Sequence, residues 1–270
     1  MAMKPTQYLD RPEGRIAYDV TGASGPLVIC VPGMGELRQS YRLLAPLLAE
    51  RHRVVTMDLR GHGESDATFT DYDDVALASD IAALVDVLGE PAFVVGNSMG
   101  AGAAVLAAAE APDKVRGLAL LGPFVRNPKA GFAQKLMMRL MFIKPWGPMA
   151  FMSYYPQWLP GEKPLGYEEH KGRVRDNLRL PGHWHAFVQT TRTSHAPAES
   201  RLSDVTAPVV VVMGEADVDW PDPVAEAEWI GRQLNGEVVL IPDVGHYPQA
   251  QAQDLTAAAV TRLIAKTVDA

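Results

Sequence analysis

Cysteine is almost missing from this chain: Cys30 is the one thiol in 270 residues. No internal disulfide can form, so a reducing, cytoplasmic setting is expected. Basic residues are also in short supply, 25 Lys and Arg against 32 Asp and Glu, for a formal charge of −7. An acidic surface repels phosphate backbones, so no nucleic-acid partner is expected. No apolar run reaches the roughly 18 residues that a membrane-spanning helix needs. The opening MAMKPTQYLDRPEG lacks the apolar centre of a secretory signal. There is neither a phosphate-binding P-loop nor a dinucleotide-binding glycine pattern. His183 and His185 form a pair with no third ligand nearby in sequence, short of a zinc set. Cofactors and metals are therefore not expected. Oligomeric state is not legible.

What remains is an ordinary globular composition, 47% hydrophobic and 21% charged, of a length that suits one large domain or a core with an insertion. The first half alternates two patterns. Gly14–Val20 alternates like a half-exposed strand, whereas PLVICVP (26–32), RVVTMD (53–58), PAFVVG (91–96) and VRGLALLGP (115–123) read as strands buried on both faces. Between them lie helical patterns, SYRLLAPLLAERH (40–52), weakened by Pro46, and Asp74–Gly89, an amphipathic helix ending at glycine. The pattern resumes late, with APVVVVMG (207–214) and EVVLIP (237–242) as strands, and DPVAEAEWIGRQLNG (222–236) and LTAAAVTRLIAKTV (255–268) as helices. Alternation of this kind predicts an α/β fold, a mostly parallel central sheet with helices on both faces.

Residues 123–203 break the alternation. They hold 11 of the 20 aromatic residues and five of the 11 methionines (Met137, Met138, Met141, Met149 and Met152). They also carry 12 basic and five acidic residues, a net +7 that leaves −14 on the rest. Proline and glycine cut the stretch into short helices. The expected organisation is a core of residues 1–122 and 204–270 with a largely helical insertion at 123–203.

The segment FVVGNSMGAGAAVLAAAEAP, Phe93 to Pro112, carries the chemistry. A buried strand ends at Gly96, Ser98 follows, and after Gly100 an alanine-rich helix begins. A serine on a sharp strand-to-helix turn has strained backbone angles and presents its hydroxyl openly. The residues two before and two after it approach each other and must be small. A nucleophilic serine needs a base, and the base needs an orienting acid. Asp217 follows the strand PVVVVM in Gly214-Glu215-Ala216-Asp217, at the sheet edge that holds Ser98. Asp219 and Asp222 are rivals, with plainer readings as turn and helix-start residues. His246, in the loop PDVGHYPQ after the last strand, is the candidate base. An oxyanion hole needs two backbone N–H groups. Met99, directly after the serine, supplies one. Met34, in Pro32-Gly33-Met34-Gly35, supplies the other. Cys30 reads as a buried strand residue.

With these motifs in order, the chain resembles the α/β-hydrolase superfamily over nearly its whole length. VPGMG is similar to that family's oxyanion loop, with Pro32 where a histidine is common, and DLRGHGES (Asp58 to Ser65) is similar to its D-x-R-G-H-G-x-S segment. GNSMG, GEAD and GHYP resemble the nucleophile elbow, acid loop and histidine loop. The resemblance implies a triad in the order serine, acid, histidine. It implies that 123–203 is a cap between the sixth and seventh core strands, and that His62 is a packed loop residue.

A serine at the elbow implies acyl transfer rather than the dehalogenase or epoxide-hydrolase chemistry that uses aspartate there. A carboxylic-ester hydrolase is the leading expectation, with lactones and thioesters open. A carbon–carbon hydrolase of the meta-cleavage type is the first alternative, but such enzymes tend to have tryptophan after the histidine, where Tyr247 stands, and a further glycine where Ala101 stands. A cofactor-free perhydrolase uses the same triad. Outside enzymes, a small-molecule receptor on this fold is the remaining reading. The expected partner is a small molecule with an apolar acyl or alcohol part, bound by Gly33, Met34, Trp146, Phe151, Tyr154, Trp158 and Tyr247. Methionine adapts to irregular ligands and aromatic rings supply large apolar area.

Overall fold

The computed structural model describes residues 6–128, 140, 142–143 and 145–268. Its centre is an eight-stranded sheet of β1 (Gln7–Arg11), β2 (Gly14–Thr21), β3 (Leu27–Val31), β4 (Arg53–Met57), β5 (Ala92–Asn97), β6 (Val115–Leu121), β7 (Val209–Gly214) and β8 (Glu237–Ile241). The spatial order is β1-β2-β4-β3-β5-β6-β7-β8. β1, β2 and β4 pair antiparallel, and every pairing from β4 through β3 to β8 is parallel. The mostly parallel sheet follows from the strand–helix alternation. β1 is new: QYLDR buries only Leu9, so it carries no hydrophobic pattern and forms through its hairpin with β2.

The continuous apolar runs exist because both faces of the sheet are covered. Ile29, Val31, Val94, Leu118, Leu120 and Val211 face α2 (Asp74–Leu88), α3 (Met99–Glu110) and α8 (Pro223–Leu234) in one core. Their alternate neighbours Val28, Cys30, Val95, Ala119, Leu121 and Val212 face α1 (Leu44–Leu48) and, beyond the short α9 (Pro248–Gln251), α10 (Gln253–Val268) in another. Each fully buried aliphatic side chain contributes roughly 1.5–3 kcal/mol, so the two cores together position the strand ends. Cys30 is fully buried, and burial pushes its thiol well above the ordinary range, as befits a packing residue.

Local signals set the helix ends. Asp73 accepts the Ala76 N–H at 2.9 Å to cap α2, which stops at Gly89 in the left-handed region (φ 78°). Asp222 caps α8 by accepting the Ala225 N–H at 2.9 Å. The helix expected over 40–52 is shorter: a 3₁₀ turn at Arg38–Tyr41 precedes α1, which carries Pro46 in its first turn, where a missing N–H costs nothing.

The D-x-R-G-H-G-x-S segment is a structural knot. Asp58 accepts the Arg38 N–H at 2.7 Å and the Glu64 N–H at 3.0 Å, and the Arg38 guanidinium pairs with it. Ser65 Oγ accepts the Ala17 N–H at 2.9 Å. Four helices of the 123–203 segment are described: α4 (Gly147–Tyr154), α5 (Tyr167–Asn177), α6 (His183–Thr190) and α7 (Ala196–Ser200). Phe151, Tyr155, Tyr167, Trp184 and Phe187 form a third apolar cluster there, which includes Leu37, Tyr247 and Ala250 from outside the segment. Met137, Met138 and Met141 lie outside the described residues.

Candidate active site

Ser98 joins β5 to α3 with φ 56° and ψ −121°, a left-handed backbone that a β-carbon makes costly. The strain is held by packing. A β-carbon on Gly96 would sit 2.4 Å from the Gly100 oxygen, and one on Gly100 would sit 2.5 Å from the Val31 oxygen. The two glycines of the motif are thus required by space. The Ser98 N–H donates to the Leu121 oxygen at 3.0 Å, anchoring the turn to β6. α3 is built from small residues that let neighbouring chain approach: a β-carbon on Gly102 would be 2.6 Å from the Phe124 oxygen, in the loop after β6.

Asp217 and His246 meet as expected. His246 Nδ1 lies 2.7 Å from Asp217 Oδ2, both side chains being buried. Asp217 Oδ1 accepts the Asp219 N–H at 3.0 Å, which fixes the carboxylate plane. Gly122 (φ 47°) makes room: a β-carbon there would be 3.1 Å from His246 Nδ1 and 3.3 Å from Asp217 Oδ2. Burial draws the imidazole toward neutrality, but Asp217 and Asp219, with help from Glu36, overcome this and push its pKa up to about 9. With Nδ1 engaged by carboxylate, Nε2 is the nitrogen left for proton transfer. Asp222 stays a helix cap. Asp219 exceeds its turn reading, because its Oδ2 comes within 3.5 Å of His246 Nδ1. Among the described residues, Asp217, Asp219 and His246 are the one group of three carboxylate or imidazole side chains that gathers its ligand atoms within 4.8 Å. Two of them, Asp217 and His246, pair directly with each other at 2.7 Å, with the Asp219 carboxylate beside them. His183 is buried, whereas His185 sits beside Gln189 at 3.4 Å.

Gly33 packs on Ser98, where a β-carbon would be 2.7 Å from Ser98 Cβ and 3.3 Å from Oγ. Among the described residues, the backbone N–H groups of Met34 and Met99 make no hydrogen bond within the chain. The loop is braced from below by His62. Its Nε2 accepts the Gly35 N–H at 3.1 Å while Nδ1–H donates to the Arg60 oxygen at 3.0 Å, and burial pulls its pKa down to about 4. A neutral, doubly engaged imidazole is a brace, in line with the packed-loop reading. Gly33→Ala is expected to cost roughly a hundredfold in kcat/KM, since an ångström of misplacement has that effect. Steady-state kinetics beside a melting curve checks this: unchanged activity would mean that Gly33 does not set the loop's approach.

The expected substrate-binding residues divide. Tyr247 is buried with its ring 5.2 Å from the His246 ring. Phe151 is buried and packs on Phe187 at 4.7 Å, so it serves the apolar cluster. Tyr154 and Trp158, partly exposed, contact each other at 4.9 Å. Trp158 reaches the histidine loop, its carbonyl accepting the backbone N–H of His246 at 2.9 Å. Trp146 does not join them: it is half exposed, with its indole N–H on the Leu140 oxygen at 3.1 Å.

Two supports escaped the sequence reading. The Asn97 amide donates to the Leu121 oxygen at 2.9 Å and the His246 oxygen at 3.0 Å, tying the histidine loop to β6. Its signal was a polar residue ending an apolar run. Glu36 is buried just after the glycine loop, where Tyr155 donates its hydroxyl to it and His170 Nε2 lies 2.7 Å away. Burial alone would raise this carboxyl, but His170 and the Tyr155 hydroxyl hold it below its usual range. Nothing local in sequence pairs Glu36 with residues more than a hundred positions away.

Comparisons with known proteins bear on the family and the fold. The chain is 28% identical over 262 residues to 2-(acetamidomethylene)succinate hydrolase of Mesorhizobium japonicum, covering 93% of this chain and 92% of that one. It is 29% identical over 235 residues to pimeloyl-[acyl-carrier protein] methyl ester esterase of Neisseria meningitidis, covering 82% and 86%. An α/β-hydrolase-fold protein of Burkholderia ambifaria superposes with a TM-score of 0.83 at 25% identity, covering 97% and 99%. The family model described as "Alpha/beta hydrolase family" matches residues 28–259, from β3 through the first half of α10. Sheet order, strained serine turn and that match converge, and the chain belongs to the α/β-hydrolase family.

Proposed function

We propose that the protein is a serine hydrolase that cleaves a carboxylic ester, lactone or thioester through an acyl-enzyme. The observation that carries this reading is the 2.7 Å contact between His246 and Asp217 at the sheet edge where the strained Ser98 turn lies. His246 Nε2 takes the Ser98 proton as Oγ bonds to the carbonyl carbon. The carbonyl oxygen becomes an oxyanion between the Met34 and Met99 N–H groups. His246 then protonates the leaving alkoxide, or the thiolate of a thioester, and an alcohol or thiol departs, or stays tethered to the acyl group in a lactone. Water repeats the sequence on the acyl-enzyme: it gives a proton to His246, attacks the carbonyl carbon, and releases the acid while Ser98 regains its proton. The similarity to an esterase and to a second hydrolase supports hydrolysis as the reaction class. No described helix is long and apolar enough to cross a membrane.

In this reading residues 123–203 are a cap over a core of 1–122 and 204–270, and Tyr154, Trp158 and Met34 line an apolar acyl or alcohol site. Met149 is largely exposed and Met152 packs with the aromatic cluster, so aromatic side chains are the main lining. The test compares p-nitrophenyl esters of rising acyl length with the same series ending in a carboxylate, at low and high salt. An apolar site gives kcat/KM rising with length to a limit and little salt effect. Preference for the carboxylate series, weakened by salt, would replace it with charge capture by the basic segment. A flat profile in both series removes the apolar site. Absence of ester turnover, with release of acid from a vinylogous diketone, would move the reaction to carbon–carbon hydrolysis.

A further inference from the structure

Trp158 touches both His246 and the neighbouring Asp219. Its carbonyl accepts the His246 N–H at 2.9 Å, and its indole N–H donates to Asp219 Oδ1 at 2.8 Å. The other oxygen of Asp219 lies 3.5 Å from His246 Nδ1, and the Asp219 side chain is 22% exposed. The Asp219 N–H already serves Asp217 Oδ1. A turn residue needs only its backbone, and this one has its carboxylate aimed at the imidazole and held there by a ring from another part of the fold. That ring packs on Tyr154 at 4.9 Å and Phe151 at 5.5 Å, the aromatic residues of α4.

We propose that Asp219, held by the Trp158 indole, is a second positioning carboxylate for His246, through which the segment between β6 and β7 is coupled to the proton-transfer step. This rests on the reading of Ser98, His246 and Asp217 as a catalytic triad. The groups facing His246 are few. Asp217 and Asp219 come from the loop after β7, Glu36 acts from the loop after β3, and Tyr247 is the next residue. Phe124, after β6, meets the ring edge-on at 5.8 Å. Trp158 meets the His246 backbone through its carbonyl, and its ring packs on Tyr154. Two carboxylates beside one imidazole favour its protonated form, so a base that must start unprotonated is restrained at neutral pH. Burial raises the Asp219 carboxyl, Asp217 adds to that, and His246 and the Trp158 donor oppose it. The aromatic cluster thus connects to the imidazole through one hydrogen bond, from the Trp158 indole to Asp219.

The test reads His246 in two ways: its titration midpoint by NMR of the ring, and the pH profile of kcat/KM on a short p-nitrophenyl ester. In D219N the midpoint moves acidward by about one to three pH units. kcat/KM at pH 7 then rises, by roughly three- to tenfold for each unit, while the alkaline plateau falls because a weaker base remains. A residue of purely structural importance would lower both limbs together. W158F releases the Asp219 carboxylate from this orientation and moves the midpoint acidward by less than D219N does, but leaves it unchanged in the D219N background, since the effect passes through that carboxylate. An unmoved midpoint in D219N, or equal W158F shifts in both backgrounds, overturns the proposal. Circular dichroism establishes that each variant is folded. The NMR titration needs no turnover, so a protein without esterase activity would sink the proposed function and still leave this coupling decided by its own measurement.

Discussion

Ser98→Ala abolishes ester hydrolysis, with an expected loss on the order of a million-fold in kcat, as in triads where removal of the nucleophile eliminates the covalent route. The fold survives the change. The serine's left-handed backbone is held by the Leu121 carbonyl and by the close approach of Gly96 to Gly100, neither of which involves the hydroxyl. Alanine has the same β-carbon and so the same strain. Ligand binding in the variant should persist, because the Met34 and Met99 N–H groups are backbone. The measurement is single-turnover and steady-state hydrolysis beside thermal unfolding. A variant that unfolds normally and keeps more than a tenth of wild-type turnover would remove Ser98 from the chemistry.

Asp217→Asn is the second large effect, a fall of roughly four orders of magnitude in kcat, because an amide no longer holds the imidazole in the tautomer that leaves Nε2 free. Asp219 does not take over. Its 3.5 Å separation from Nδ1 is beyond a good hydrogen bond, and Trp158 already occupies its other oxygen. Asp222→Asn is mild, since asparagine caps a helix as aspartate does. These variants rank the three carboxylates that the sequence places within six positions of one another. If Asp219→Asn proved the crippling change and Asp217→Asn the mild one, the acid would be reassigned.

The sequence determined a good deal by itself. Runs such as LVICV and VVVVMG are apolar on both faces, and only a sheet covered on both sides buries them, so the parallel core was legible. So was the turn at Ser98, because two glycines flanking a serine between a strand and a small-residue helix have a steric cause in the sequence. Asp217 and His246 were legible as loop residues at strand ends, since strand register puts those ends on one edge. Local signals of this kind survive folding because each depends on neighbours within a few positions.

Tertiary structure alone decided the rest. β1 exists only by pairing with β2, and one buried leucine leaves no pattern to read. The braces of the site join residues far apart: His62 to Gly35, Asn97 to His246, Glu36 to Tyr155 and His170. A buried polar group must find a partner, but the sequence does not say which. The aromatic residues of 123–203 looked alike as a composition. Packing separates Phe151, spent on an apolar cluster, and Trp146, half exposed, from Trp158, whose carbonyl reaches the His246 backbone and whose indole N–H reaches Asp219. Those distinctions arise from three-dimensional neighbourhood, and a hydrogen bond between residues 158 and 219 has no trace in the chain until the segment folds back over the sheet edge.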